Sequence, residues 1–351
     1  MDGKRVVSLL VVGMLAGAAM ADGEPTGAWS SWMAAGAGLA AADAELIPPP
    51  SDPPANPGTI VAPFGFYESG QRWLRHTIEG CGGTTYVPVA YLVNPGPEGT
   101  IIGMPALSAT YLGGLTSSKK NILAFAVSET LFRRIELSYA FDRVDLGDLR
   151  GTVRRVINND IGRDRVYLHN WNVRGLIVEE DGFGLPLPAL TGGVHFKYNS
   201  KIKNINSRLL IPMDAVGYER SSGVEFTLTA TKTLVIGPLP KIVATVGLRN
   251  SDAAYTGYMG FSDNRATTIE ASVVVFPTDR LWVSYEFRRK QYPYEPIPVA
   301  GMVRSEDNWH GIGVGVKFCE HATLQAGVHF LGDMADSDGD GAMSLQLKVE
   351  L

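Results

Sequence analysis

The sequence predicts an all-β protein, an antiparallel transmembrane β-barrel of about 12 to 14 strands. Three observations predict it: an export signal with no later apolar span, two-residue alternation that runs to the last residue, and connections that alternate between short and long.

The export signal comes first in the chain. Lys4 and Arg5 precede an apolar run over residues 6–19, and Ala19-Met20-Ala21 offers small residues for cleavage, so residues 1–21 read as a secretory signal peptide. A buried or anchoring N-terminal helix is the alternative. No later stretch reaches the roughly 18 unbroken apolar residues of a transmembrane helix, which leaves any membrane crossing to strands. A net charge of -5 with no concentrated basic face excludes a nucleic-acid partner. Two cysteines, Cys81 and Cys319, suit an exported chain that uses disulfides sparingly or not at all. Residues 22–70 are rich in Ala, Gly and Pro, with Pro48-Pro49-Pro50 and Pro53-Pro54, and read as an arm or linker before a barrel over residues 71–351.

The alternation is explicit from about residue 107 onward. In residues 134–142, Ile135, Leu137, Tyr139 and Phe141 oppose Arg134, Glu136, Ser138, Ala140 and Asp142. Val224, Phe226, Leu228 and Ala230 oppose Glu225, Thr227, Thr229 and Thr231, and Ile312, Val314, Val316 and Phe318 oppose Gly311, Gly313, Gly315 and Lys317. Leu281, Val283, Tyr285 and Phe287 oppose Ser284, Glu286 and Arg288, with Trp282 an exception on the polar side. The last strand sets Met343, Leu345, Leu347, Val349 and Leu351 against Ser344, Gln346, Lys348 and Glu350. A soluble sandwich also alternates, so the connections decide.

Short turns fall at residues 129–133, 237–241, 277–280 and 319–321, and longer polar loops at 143–165, 199–222, 250–267, 289–308 and 332–341; residues 179–190 are intermediate. Outer-membrane barrels have short periplasmic turns and long external loops, so this order gives about twelve strands with both ends periplasmic. Residues 72–79 and 86–93 are candidates for a further pair, making about fourteen. Tyr139, Phe141, Tyr198, Tyr285, Phe287 and Phe330 fall at the expected outer interface, and Phe276 and Phe318 at the inner one.

The polar face supplies the candidate site. Glu136, Glu225, Glu270 and Glu286 share it with Arg134, Arg249, Arg288 and Lys317, and also with Glu350, Arg174, Lys197 and Lys348. Mixed charges either line a narrow aqueous path that selects solutes, or pair across the interior and occlude it. The glycines Gly311, Gly313 and Gly315 lie in a strand with no following helix, so they read as room in the lumen and not as a nucleotide loop. His195 and His329 reach the polar face, where ordinary lining competes with a metal pair. Asp336, Asp338 and Asp340 match the first half of a calcium loop, but its twelfth position is Leu347, so an external acidic turn is the reading and weak calcium binding the alternative. No other cofactor is expected. Cys319 sits in a short turn and Cys81 where the chain enters the barrel, and a disulfide tether between them competes with two separate thiols.

The chain resembles a group of bacterial outer-membrane barrels classed as domain of unknown function 3034. The resemblance rests on Ile78-Glu79-Gly80 followed by Gly82-Gly83 and Pro88-Val89-Ala90, on residues 134–140 and 194–199, and on Gly223-Val224-Glu225 with Thr229-Ala230-Thr231-Lys232. It continues through residues 285–290, Glu306-Asp307-Asn308-Trp309 and Leu331-Gly332-Asp333, in order from about Ile78 to the end. It implies an outer-membrane barrel and carries no substrate, cofactor or catalytic residue. Barrels of this class commonly end in an aromatic residue, whereas this chain ends in Leu351.

The expected protein is a porin-like channel or uptake barrel for small solutes in the cell outer membrane, in contact with its lipid and inserted by the barrel-assembly machinery. An occluded structural or interaction barrel is the alternative, and a lipid-modifying enzyme a third reading. No catalytic set is visible, since His-Glu-x-x-His, Cys-x-x-Cys and Gly-x-Ser-x-Gly patterns are missing, so no enzymatic activity is expected.

Overall fold

The computed structural model describes residues 73–114, 119–209, 213–291, 293–294, 307–332 and 341–351. Residues 1–21 and 22–70, read as signal peptide and arm, lie outside them, as do Asp336, Asp338 and Asp340.

Twelve strands form the wall: β3 (Ala106–Gly114), β4 (Asn121–Leu131), β5 (Ile135–Asp145), β6 (Arg165–Val178), β7 (Ala189–Asn199), β8 (Ser222–Leu234), β9 (Lys241–Ala253), β10 (Phe261–Phe276), β11 (Leu281–Arg288), β12 (Trp309–Cys319), β13 (Ala322–Phe330) and β14 (Gly341–Glu350). Each pairs antiparallel with its sequence neighbours, and β14 returns to β3 with Glu350 opposite Ala106, closing the barrel. Closure leaves no unpaired edge, which is what allows strands to cross a hydrocarbon layer. The period-two pattern sets the register, because a one-residue slip would turn every apolar side chain inward. Leu137, Val246, Leu248, Ile312, Val314, Leu345 and Leu347 are exposed on the outer surface, and their polar sequence neighbours face inward. A closed barrel with this apolar exterior is a membrane barrel, and the protein resides in the outer membrane.

Residues 72–79 and 86–93 add no wall strands. A two-residue hairpin, β1 (Arg75–His76) with β2 (Gly82–Gly83), forms a separate small sheet. The expected long loop at residues 250–267 is also mostly strand. β9 runs to Ala253 and β10 starts at Phe261 with a register shift before Ala266, leaving only a 3-10 turn, Ala254–Gly257, between them. β10 has 16 residues, where about 9–11 suffice to span, so this hairpin projects beyond the membrane. Phe276 faces inward and is buried, so it belongs to no girdle.

At the long-loop end the described loops pack against one another and against the wall. The β5–β6 loop contains α1 (Leu149–Ile157), which stops at Asn158 in the left-handed conformation, with Arg154 and Arg155 in its last turn complementing the helix dipole. The β7–β8 loop contains α2 (Ile202–Asn206). Leu149, Val153 and Ile161 from the first loop, Ile205, Met213 and Val216 from the second, and Tyr255 and Tyr258 from the connection between β9 and β10 form one apolar cluster, which Ile78, Tyr86 and Val87 join. It rests on Leu112, Ile122, Val144, Val166 and Leu168, the inward residues at the outer ends of four wall strands.

Candidate functional site

The inward face does not line an open path. From Trp73 to Val93 every residue is buried, and the segment lies inside the barrel as a re-entrant hairpin. Trp73 packs edge-on against Phe276, at a ring distance of 5.4 Å, beside the short turn after β10. The chain then rises to Glu79, turns, and descends to Val93, whose amide and carbonyl meet Glu136 and Thr130 near the short turn after β4. Gly80 permits the turn: its φ is 95°, and a Cβ there would lie 2.8 Å from the Ala140 Cβ.

A buried backbone outside any sheet needs partners for its amides and carbonyls. Wall side chains provide them. Asn172 donates to the Glu79 carbonyl at 2.8 Å and Gln346 to the His76 carbonyl at 2.7 Å, while Lys348 donates to Leu74, Thr191 to Ala90, and Arg174 to both Gly82 and Val89. Going the other way, the amides of Gly82 and Val93 donate to Glu136 at 2.9 and 2.8 Å, and the Ala90 amide to Thr231 at 2.8 Å. His76 bridges Ser108 and Ser128 at 2.8 and 2.7 Å.

Two carboxylates organise the plug. Glu79 at its tip meets Lys197 at 2.7 Å, Arg249 at 3.0 Å and Arg288 at 3.1 Å. The same cations reach Glu225 (Lys197 at 2.9 Å, Arg249 at 2.5 Å) and Glu270 (Arg249 at 3.1 Å, Arg288 at 3.3 Å), so three buried cations face three buried carboxylates, one of them from the plug. Glu286 reverses the roles. This wall carboxylate sits in a nest of plug donors: the Thr84 hydroxyl at 2.5 Å and the amides of Tyr86, Thr85 and Val87 at 3.0, 3.2 and 3.3 Å.

Of the eight residues read from sequence as lumen lining, Glu225, Glu270, Arg249 and Arg288 enter the Glu79 network, Glu136 pairs with Arg174 at 3.2 Å and binds the plug backbone, and Glu286 sits in the nest. Arg134 does not join them: it lies in the turn before β5, half exposed, and pairs with Glu179 at 2.6 Å. Lys317 lies at the inner end of β12 and is only partly buried. Glu79 was missed, because no periodicity marks it; the small-residue run Gly80-Cys81-Gly82-Gly83, unsuited to a spanning strand, is the signal that could have drawn attention to it.

His195 is held between Asn172 and Thr227, both at 2.8 Å, and His329 lies 2.7 Å from Ser344 and 3.7 Å from Glu286. Each is a cross-strand polar bridge, and among the described residues no group of three His, Cys, Asp or Glu is placed to hold a metal. Gly311, Gly313 and Gly315 face inward beside His329, Gln325 and Trp282, whose side chains occupy the room they leave. Both cysteines are free. The turn carries Cys81 into the lumen beside Thr77, whereas Cys319 is exposed at the end of β12, so the tether is absent.

The wall, the outer apolar belt and the internal plug together define an outer-membrane β-barrel with a segment of its own chain inside. The chain belongs to the family described as "Protein of unknown function (DUF3034)", whose model matches residues 75–348 and so takes in nearly the whole plug. No curated protein matches it. Among solved structures, the NanC porin is 10% identical, with 70% of this chain and 98% of that one covered and a TM-score of 0.40. Outer membrane phospholipase A from Escherichia coli is 11% identical over 71% of this chain and 95% of that one, TM-score 0.34. The outer membrane protein Omp33 of Acinetobacter baumannii is 8% identical over 72% and 99%, TM-score 0.35.

Proposed function

We propose that the protein works as a closed outer-membrane barrel, structural or interactive and without enzymatic activity, and not as an open channel for small solutes. The observation that carries this reading is the hairpin itself: its backbone and its Glu79 carboxylate are bonded to inward side chains from most of the wall strands. Water or a solute crossing the lumen would have to displace a segment whose polar groups are already satisfied, and breaking one buried ion pair alone costs about 3–5 kcal/mol.

Ser344, His329 and Glu286 follow the order of a hydroxyl, imidazole and carboxylate relay, and this is the observation that favours an enzymatic reading. Against it, Glu286 is engaged by four plug donors and the Tyr86 ring packs edge-on against His329 at 5.6 Å. The deciding measurement is conductance of the purified, refolded protein in planar bilayers, paired with a phospholipid hydrolysis assay. A silent membrane and no turnover are expected. Steady ohmic current would restore the diffusion channel, and hydrolysis lost in Ser344→Ala would restore the enzyme.

A further inference from the structure

The outer surface is not uniform around the barrel. On β5, β6 and β7 the lipid-facing positions form rows of rings across adjacent strands: Tyr139, Trp171 and Phe196 in one, Phe141, His169 and Tyr198 in the next toward the long-loop end. The rings are in contact, with His169 stacked on Trp171 at 5.7 Å and Trp171 against Phe196 at 5.4 Å. The Tyr139 hydroxyl lies 2.9 Å from His169 Nδ1, which satisfies a polar atom that would otherwise face hydrocarbon. On β13 and β14 the outward positions are instead chiefly aliphatic, with Leu324, Val328, Leu345 and Leu347.

A third row begins where the rings end. Arg143 stands opposite Tyr167, itself stacked on Phe141 at 5.7 Å, and Lys201 lies over the Tyr167 ring at 6.0 Å. Arg143 makes no ion pair among the described residues, unlike Arg165, which is held by Asp145 at 3.2 Å. The two loops above this sector are cationic although the chain is not: residues 143–165 carry six basic side chains against four acidic, and residues 199–222 four against two.

We propose that this sector seats a phosphorylated glycolipid of the outer leaflet, with Arg143 and Lys201 receiving the phosphate and the ring rows lying along the sugar and upper acyl chain. The chemistry favours that occupant. Aromatic faces carry partial negative charge and pack against the C–H faces of a sugar, while basic side chains at the membrane surface attract anionic headgroups. A second copy of the chain on the same face would bring two surfaces of like charge together. The inference does not depend on the plug.

The test uses the delipidated barrel in detergent, titrated with bisphosphorylated lipid A and followed by native mass spectrometry. Wild type is expected to retain the lipid, and the double variant Arg143→Gln, Lys201→Gln to bind it about twenty-five-fold more weakly, since each cation near the surface contributes about fivefold. Lys241→Gln, at the opposite rim, should bind as wild type does, and heat-modifiable gel migration confirms that each variant is folded. Equal retention of wild type and double variant, equal retention of a dephosphorylated glycolipid, or equal weakening by Lys241→Gln would overturn the proposal. So would a lipid-free dimer lost on Trp171→Ala, which would make the sector a self-interface.

Discussion

The lumen is filled at two levels, and the two fillings draw on polar and apolar contact in different proportion. The plug is oriented by directional groups, namely charge pairs at Glu79, a donor nest around Glu286 and single hydrogen bonds to its backbone, and its lower part also packs Trp73, Leu74 and Val89 to Val93 against Val243, Val274, Phe276 and Trp282. The cap at the long-loop end is held chiefly by apolar contact among loop side chains and the outer ends of the wall, with Ile78, Tyr86 and Val87 of the plug in the same cluster. Besides that shared cluster, Lys197 links them through polar groups: its ammonium binds Glu79 at 2.7 Å and the Thr256 carbonyl of the cap at 3.2 Å. A polar closure fails abruptly when one partner is removed, because a buried charge is left uncompensated, whereas an apolar one weakens in proportion to the area lost.

The contrast is broken most severely at the plug tip. Glu79→Ala leaves three buried cations facing two carboxylates, and should weaken plug docking by about 3–5 kcal/mol. Discrete openings are expected in bilayers where wild type is silent, with Glu79→Asp intermediate; a silent Glu79→Ala barrel would mean that the backbone bonds alone hold the plug. Leu168→Ala in the cap should cost about 2–5 kcal/mol of local stability as a cavity forms, seen as faster proteolysis of the long loops. It should leave conductance at the wild-type level, and current from this variant would show that the cap carries the seal.

A smaller effect separates packing from charge within the wall. A Cβ at Gly315 would overlap the Trp282 ring, whose indole donates to Gln325 at 3.1 Å, so Gly315→Ala should cost about 1–3 kcal/mol in urea unfolding. Gly315→Ala in a Trp282→Phe background should recover part of that loss. The smallest effect lies on the loop surface. Hydrogen bonds from Arg150, then Arg154 and the Gly162 amide, hold the Asp160 carboxyl far below the usual carboxylate range. A depressed carboxyl contributes stability above its unfolded value near 3.8 and loses it as pH falls below that. Amide exchange around α1 should therefore accelerate below about pH 4, and Arg150→Ala should flatten that dependence.

The wall was legible because it obeys one rule. Leu137 beside Ser138, or Val314 beside Gly313, declares its side by parity, and every spanning strand repeats the statement. Trp282 broke the rule for a local reason, since Gly315 on the next strand gives it room inside. The plug obeys no such rule. Thr85, Tyr86 and Val87 have strand-like composition, yet their amides go to a side chain on β11 about two hundred residues away, so residues 86–93 looked like a spanning strand. The β9–β10 hairpin was hidden for a related reason: Asn250 to Asp252 and Ser262 to Thr267 are mostly polar although they lie in strands, and polarity reads as loop.

The plug hairpin begins and ends on the same side of the barrel. Trp73 and Val93 both lie at the short-turn rim, so nothing has to be threaded through the closed wall to place or remove the plug. Residues 94–105 remain fastened to that rim when the tip lets go, through the Gly103 amide on the Thr130 carbonyl at 2.7 Å and the Phe132 amide on the Ile101 carbonyl at 2.6 Å. The hairpin is thus a tethered ligand of its own barrel, with an effective concentration on the order of millimolar. Its recapture is unimolecular and indifferent to how much protein is present. An opened barrel of this design should reseal itself.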